Sequence, residues 1–195
     1  PDCNWSAKGY RLPTEAEWEK AARGGSNGHR FPWIDTDFID HSRTNYYSLW
    51  ISGKPWRAPY DKGYSGYDTR YATGDWPYTS PVGSFAPNGY GLYDISGNVL
   101  VWCWDWLSPY SSLPATDPRG PATGTNRVIR GGCFAPFGGN CRVAFRDWFP
   151  PTSLDSMTGF RGVRVKNSPP VANSQSVFTA EDTAKAIVLS ATDAN

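Results

Sequence analysis

Hydrophobic and polar positions recur with a clear period over only a few short segments of the chain, and the clearest is helical. Ala16, Trp18, Ala21 and Ala22 place apolar side chains along one helical face. Thr14 stands three residues before Glu17, the spacing at which each side chain reaches the other's backbone amide in a capping box. Gly24-Gly25 supplies the stop. The pattern therefore predicts one capped helix opening at Pro13.

Elsewhere the periods are short. Between residues 31 and 89 Tyr, Gly and Pro are dense and no sustained period emerges, so loops with brief strands are expected. Residues 91–106 alternate weakly and carry aromatic rings in close succession, as a buried strand or turn at the centre of a fold would. Arg127-Val-Ile-Arg-Gly-Gly and Phe160-Arg-Gly-Val-Arg-Val alternate over short spans and read as paired strands. At Lys166 the pattern changes: Asn167-Ser-Pro-Pro is a linker signature, and residues 167–195 contain no Trp, Tyr or Cys. Ser176-Val-Phe-Thr and Ala186-Ile-Val-Leu-Ser then read as two strands. The expected organisation is a main domain over residues 1–166, a linker at 167–170, and over 171–195 the opening of a β-domain too short to bury a core of its own.

Composition changes this picture in two ways. With 10 Trp and 11 Tyr among 195 residues, much of the core must be aromatic, while 20 Gly and 17 Pro favour irregular loops over helices. A net charge of +1 leaves no electrostatic footprint for nucleic acid or an anionic membrane, so neither is an expected partner. No apolar run approaches the roughly 18–20 residues a membrane span needs, so no membrane insertion is expected.

Candidate chemistry is sparse. Cys3, Cys103, Cys133 and Cys141 have no zinc-type spacing, and the two histidines, His29 and His41, lie far from them. One or two disulfides in a setting outside the cytosol fit better, with inert buried thiols as the alternative. His29 and His41 accompany no nucleophile motif, and Asp105 and Asp117 are not marked as a paired glycosidase site.

Tyr10-Arg-Leu-Pro-Thr-Glu-Ala-Glu-Trp-Glu-Lys-Ala-Ala-Arg-Gly-Gly resembles a signature stretch of the formylglycine-generating enzyme (sulfatase-modifying factor) family. Ser80-Pro-Val-Gly-Ser-Phe-Ala-Pro-Asn-Gly-Tyr-Gly-Leu-Tyr-Asp-Ile-Ser-Gly-Asn-Val, Arg130-Gly-Gly, Asn140-Cys-Arg-Val-Ala and Gly159-Phe-Arg come after it in the family's order. The resemblance implies an α+β, C-type-lectin-like fold of few short strands and helices and mostly irregular loops. Domains of this family begin upstream of the helix, so a first strand and helix are expected to be missing. The tail from Pro169 resembles the start of a bacterial cadherin-like or immunoglobulin-like repeat, with Glu181, Asp182 and Asp193 where such repeats carry acids. That architecture implies one part of a larger multi-domain chain, extracellular or at the cell surface.

Enzymes of the family oxidise a substrate cysteine to formylglycine with two cysteines that together hold copper, soft thiolates being suited to Cu(I). Counted from Gly131-Gly132, the first of those positions is Pro136 and the second Cys141. The serine after the Gly-Gly turn is Cys133, the family's Trp-Glu-Trp is Leu100-Val101-Trp102, and the asparagine before its Gly-Phe-Arg block is Met157. Four departures at one site argue against oxidase activity and against copper. A displaced pair, Cys133 with Cys141, is the alternative that would restore both. The resemblance also implies calcium, with one site on Asp94, Gly97 and Val99, weakened by Val101 in place of a glutamate, and a second involving Asn45 and Asp75. Turn capping by Asp94 and Asn45 is the competing reading.

The segments that depart most from the family are residues 133–139 and 147–157. They suggest a contact face for a protein or glycan ligand made of Phe134, Ala135, Pro136, Phe137, Gly138, Asp147, Trp148, Phe149, Leu154, Asp155 and Met157. Core filling by several of these rings is the alternative. The same two stretches are where retroelement-diversified variable proteins of this fold concentrate their changes. Three functions are therefore expected: a non-catalytic binding module, a divergent copper-dependent cysteine oxidase, or a structural spacer in a surface protein.

Overall fold

The computed structural model describes residues 3–7, 9–49, 58–135 and 137–164, together with the backbone of 171–172 and 191–192. In chain order its elements are β1 (Tyr10–Arg11), α1 (Glu15–Arg23), β2 (Leu100–Trp106) and β3 (Arg127–Arg130). They continue with β4 (Asp147–Phe149), β5 (Thr158–Gly159), β6 (Val163–Arg164), β7 (Val171–Ala172) and β8 (Ala191–Thr192). The contacts divide them into two compact units, Leu12–Gly162 and Pro1–Arg11 with Val163–Asn195.

In the larger unit α1 forms as its spacing predicts. The Thr14 hydroxyl accepts from the Glu17 amide at 3.2 Å, the Glu17 carboxylate accepts from the Thr14 amide at 2.8 Å, and Gly24 closes the helix at φ 57°. The buried face differs from the apolar pattern, because Glu15 joins Trp18 and Ala22 on it while Ala16 is exposed. Glu15 can be buried because it is held by arginines. Arg130, fully buried on β3, lies 3.4 Å from Glu15 and 2.5 Å from Glu19, and its guanidinium also donates to the Val143 and Phe145 carbonyls. The Arg-Gly-Gly block therefore begins with the bolt that fastens the helix to the sheet.

The sheet runs β4-β3-β2-β5. β2 pairs antiparallel with β3, β3 antiparallel with β4, and β2 parallel with β5. Alternation along the strands splits its side chains between two cores. On the helix side, Val101, Cys103 and Val128 pack with Trp18, Ala22, Ile95 and Val143. On the other side Leu100, Ile129, Cys133 and Phe134 pack together, with Trp102, Phe149 and Met157 against them. A third cluster, Phe31, Ile39, Tyr46 and Cys141, is built wholly from loops and the short 3-10 turn Gly138–Cys141. The described part of residues 31–89 holds only isolated bridges such as Ile39 with Asp61 and Ser48 with Gly66, so loops dominate there as the composition predicts.

In the smaller unit β1 pairs antiparallel with β6, and β7 antiparallel with β8. The strands expected at residues 176–179 and 186–190, the linker at 167–170 and the acids Glu181, Asp182 and Asp193 lie outside the described residues. Among the described residues no helix is long and apolar enough to cross a membrane.

Candidate ligand-binding face

The cysteines come first, because the family's chemistry depends on them. All four are free thiols, so the expected disulfides do not form, and three of the four occupy different cores. Cys141 ends the 3-10 turn and its sulfur lies beneath the backbone of Gly132, where a Cβ would stand 2.8 Å from Sγ. Gly132 has φ 70°, so the turn suits glycine twice over. This brings Cys141 beside the residue that precedes Cys133, as the displaced-pair reading requires. Burial then works against both groups. It pushes the Cys133 thiol up to about 12 and raises that of Cys141 still further, its effect reinforced there by the neighbouring Cys133. A copper site would use these sulfurs as thiolates, and in the metal-free protein this surrounding favours the protonated form of each. Pro136 lies outside the described residues.

Val101, at the position of the family's glutamate, is buried in the helix-side core. Two of the expected calcium donors, Asp94 and Asn45, hold loops together. Asp94 adopts φ 51° and its two carboxylate oxygens accept from the amides of Gly83 and Phe85, a turn-capping arrangement. Asn45 is buried, its side chain donating to the Tyr78 carbonyl at 2.8 Å and its own carbonyl accepting from the Asn98 amide at 2.8 Å. Gly97 donates to the Gly131 carbonyl, Val99 donates to the Gly97 carbonyl, and Asp75 is exposed. The first expected site thus keeps one carboxylate, Asp94, which already serves two amides, and Val101 adds none.

The expected contact residues divide. Phe134 is fully buried, and Phe149 and Met157 pack half-buried against the same core, so these three fill space rather than project. Gly138 is also buried, pressed against Tyr46 and Ile39, and Ala135 is half-buried. Asp147 and Asp155 turn inward onto backbone: Asp147 accepts from the Trp148 amide and Asp155 from that of Met157. Phe137, Trp148 and Leu154 remain exposed, at 51%, 46% and 101%.

Trp148 does not share a face with the others. Its partner across β3 is Val128, a helix-side core residue, whereas Asp147 and Phe149 pair with Ile129 and Arg127 on the opposite side. Expecting one surface from all three overlooked strand alternation.

Phe137 instead meets aromatic residues of the loop-rich stretch between 31 and 89. Its backbone bridges Tyr47, with the two rings 6.2 Å apart, and Tyr47 stands edge-on to Tyr67 at 4.7 Å. Tyr67 contacts Trp76 at 6.0 Å, and Trp76 packs on Phe134 at 4.7 Å. The Trp76 indole donates to the Ser156 hydroxyl at 2.9 Å, which ties this ring to the second departing segment. The Tyr-rich composition of residues 60–78 was the available signal. Chemically the face offers half-exposed rings edge to edge, with the thiols of Cys133 and Cys141 buried.

Comparison with known proteins places this geometry. Residues 3–166 match the family described as the sulfatase-modifying factor enzyme 1-like domain. The formylglycine-generating enzyme of Thermomonospora curvata is 44% identical over 165 residues, covering 80% of this chain and 49% of that protein. The serine/threonine-protein kinase pkn1 of Chlamydia pneumoniae is 38% identical over 157 residues, covering 78% of this chain and 20% of its own length. Among solved structures, Treponema denticola variable protein 1 superposes with a TM-score of 0.61 at 34% identity, over 83% of this chain and 49% of that one. PvdO from Pseudomonas aeruginosa does so at 0.60 and 28% identity, over 80% and 53%. The chain spans about half the length of the first of these relatives and a fifth of the kinase. With five ordered sequence blocks, an α+β architecture of C-type-lectin type and a match over residues 3–166, the chain belongs to the sulfatase-modifying factor enzyme 1-like family.

Proposed function

We propose that this domain is a non-catalytic binding module. Its contact face centres on Phe137, Tyr47, Tyr67 and Trp76. One observation carries the reading: half-exposed rings cover this face while the sulfurs of Cys133 and Cys141 are withdrawn into the interior. Exposed apolar clusters of this kind commonly mark interaction sites, and buried thiols commonly serve packing. The likeness to a variable protein of Treponema denticola supports the reading, as does the concentration of departures in residues 133–139 and 147–157. The expected ligand is a protein or glycan outside the cell, met by a module of a larger surface chain.

The 44% identity to a formylglycine-generating enzyme favours the oxidase as the second reading. Titration with Cu(I) and incubation with a cysteine-containing peptide decide between them. The binding module gives neither tight copper binding nor an aldehyde product, and either result establishes the oxidase instead. Replacing Phe137 and Trp76 together by Ala should abolish capture of a target recovered by selection against the wild-type domain while leaving the far-ultraviolet spectrum intact. A near-copy of the coding segment beside a reverse-transcriptase gene would add that the face is diversified.

A further inference from the structure

A second concavity lies away from the aromatic face, between α1 and the loop that joins β2 to β3. It encloses about 880 Å³, within the range of roughly 300–1,000 Å³ usual for ligand sites. Apart from the exposed Lys20, its charged groups are already paired. Glu15 receives both Nε and Nη2 of Arg146, at 2.6 and 2.7 Å, and the Tyr110 hydroxyl at 2.9 Å. Glu19 is shared by Arg130 and Arg23, and Asp105 accepts from the Glu15 amide at 2.7 Å. An anionic ligand would find Lys20 alone and otherwise have to draw Arg146 or Arg23 away from a carboxylate, and a cationic one would face acids that are taken.

Beyond Lys20, what remains for a ligand is neutral. Tyr90 and Tyr110, 54% and 64% exposed, supply ring surface, one face of Tyr110 being covered by Arg146, while Trp106 is already covered by Arg127 at 3.6 Å. Ser26, Asn27, Ser108 and Ser111 supply hydroxyl and amide groups. Pro109, Pro118 and Pro121 stiffen the outer wall and have no N–H with which to pair a peptide backbone. Rings that can cover C–H faces, short polar groups beside them and paired charges below are the chemistry that holds sugars.

We propose that this cavity binds a neutral oligosaccharide, seated on Tyr90 and the open face of Tyr110 and independent of the Phe137 face.

The test is calorimetric titration of the intact chain with cellohexaose, maltohexaose and chitohexaose, alongside a heparin-derived hexasaccharide and a proline-rich peptide. At least one neutral hexasaccharide should bind, and Tyr90→Ala should weaken it about tenfold or more. Ala16→Trp, which fills the cavity from an exposed helical position without removing a buried group, should do the same. The Phe137→Ala/Trp76→Ala variant should bind the saccharide as the wild type does, which separates this site from the proposed contact face. Failure of every neutral saccharide, preference for the anionic saccharide or the peptide, or saccharide binding unchanged by both Tyr90→Ala and Ala16→Trp would each overturn the proposal.

Discussion

Arg146 and Glu15, 131 residues apart in sequence, form a two-pronged ion pair in which Nε and Nη2 donate to the two carboxylate oxygens at 2.6 and 2.7 Å. The pair joins the first turn of α1 to the segment leading into β4, and the Arg146 guanidinium also stacks on Tyr110 at 4.0 Å. With side chains only 7% and 20% exposed, it is shielded from water on most sides. Arg146→Ala should lower unfolding free energy by about 2–4 kcal/mol, because it leaves Glu15 buried with fewer partners. Arg146→Lys should recover less than half of that, since an ammonium cannot reproduce the fork. Urea denaturation with an unchanged slope measures both.

The thiols make a second prediction. Burial raises the pKa of Cys103 and Cys141 well above the ordinary value and that of Cys133 to about 12. At pH 8 the native protein should therefore react promptly with Ellman's reagent at the half-buried Cys3 alone, and at all four cysteines once unfolded without reductant. Fewer than four in the unfolded chain would reveal a disulfide. Rapid reaction of Cys133 or Cys141 in the native state would return the oxidase reading to first place.

His41 sets a pH dependence. Its ring is buried between Tyr46 and Tyr64, with centroids 4.7 and 4.0 Å away, and its Nδ1 has no hydrogen-bond partner. Burial lowers its pKa below 6.5, outweighing the opposing pull of Asp68, the Tyr46 carbonyl and Asp61. The unfolded chain therefore binds a proton first as pH falls, and the stability held above pH 6.5 declines from there down to the folded pKa. Asp68, held below its ordinary value by Arg70 against the opposing effect of burial, adds a separate loss only as pH falls below about 4. Melting temperature against pH should slope through both windows in the wild type, and His41→Gln should flatten the upper one alone.

Asp94 distinguishes a turn cap from a metal ligand. If its carboxylate serves the Gly83 and Phe85 amides, Asp94→Ala should cost about 1–3 kcal/mol, and Asp94→Asn, which tolerates the same positive φ, less than half of that. On that footing the melting curve should be the same with calcium and with chelator. A rise of several degrees with calcium that Asp94→Asn removes would assign the metal instead.

Local signals were enough for the capped helix, the strand at Arg127–Arg130 and the looped stretch from 31 to 89, because each depends on neighbours close in sequence. The family blocks likewise lie in the linear order of the chain, and Pro136, Val101 and Met157 could be seen there as departures from it. Which departing side chains reach solvent is another matter. Phe134 and Phe137 are three positions apart and similar in chemistry, yet one is fully buried beneath Trp76 and the other half-exposed beside Tyr47. Trp148 and Phe149 are adjacent and fall on opposite sides of the sheet, because neighbouring residues of a strand must point apart. The sequence by itself determined the family, the helix and the loss of the expected thiol pattern. The aromatic cluster around Phe137 and the second cavity follow only from the tertiary structure, because both are made by side chains from segments tens of residues apart, whose meeting no local period encodes.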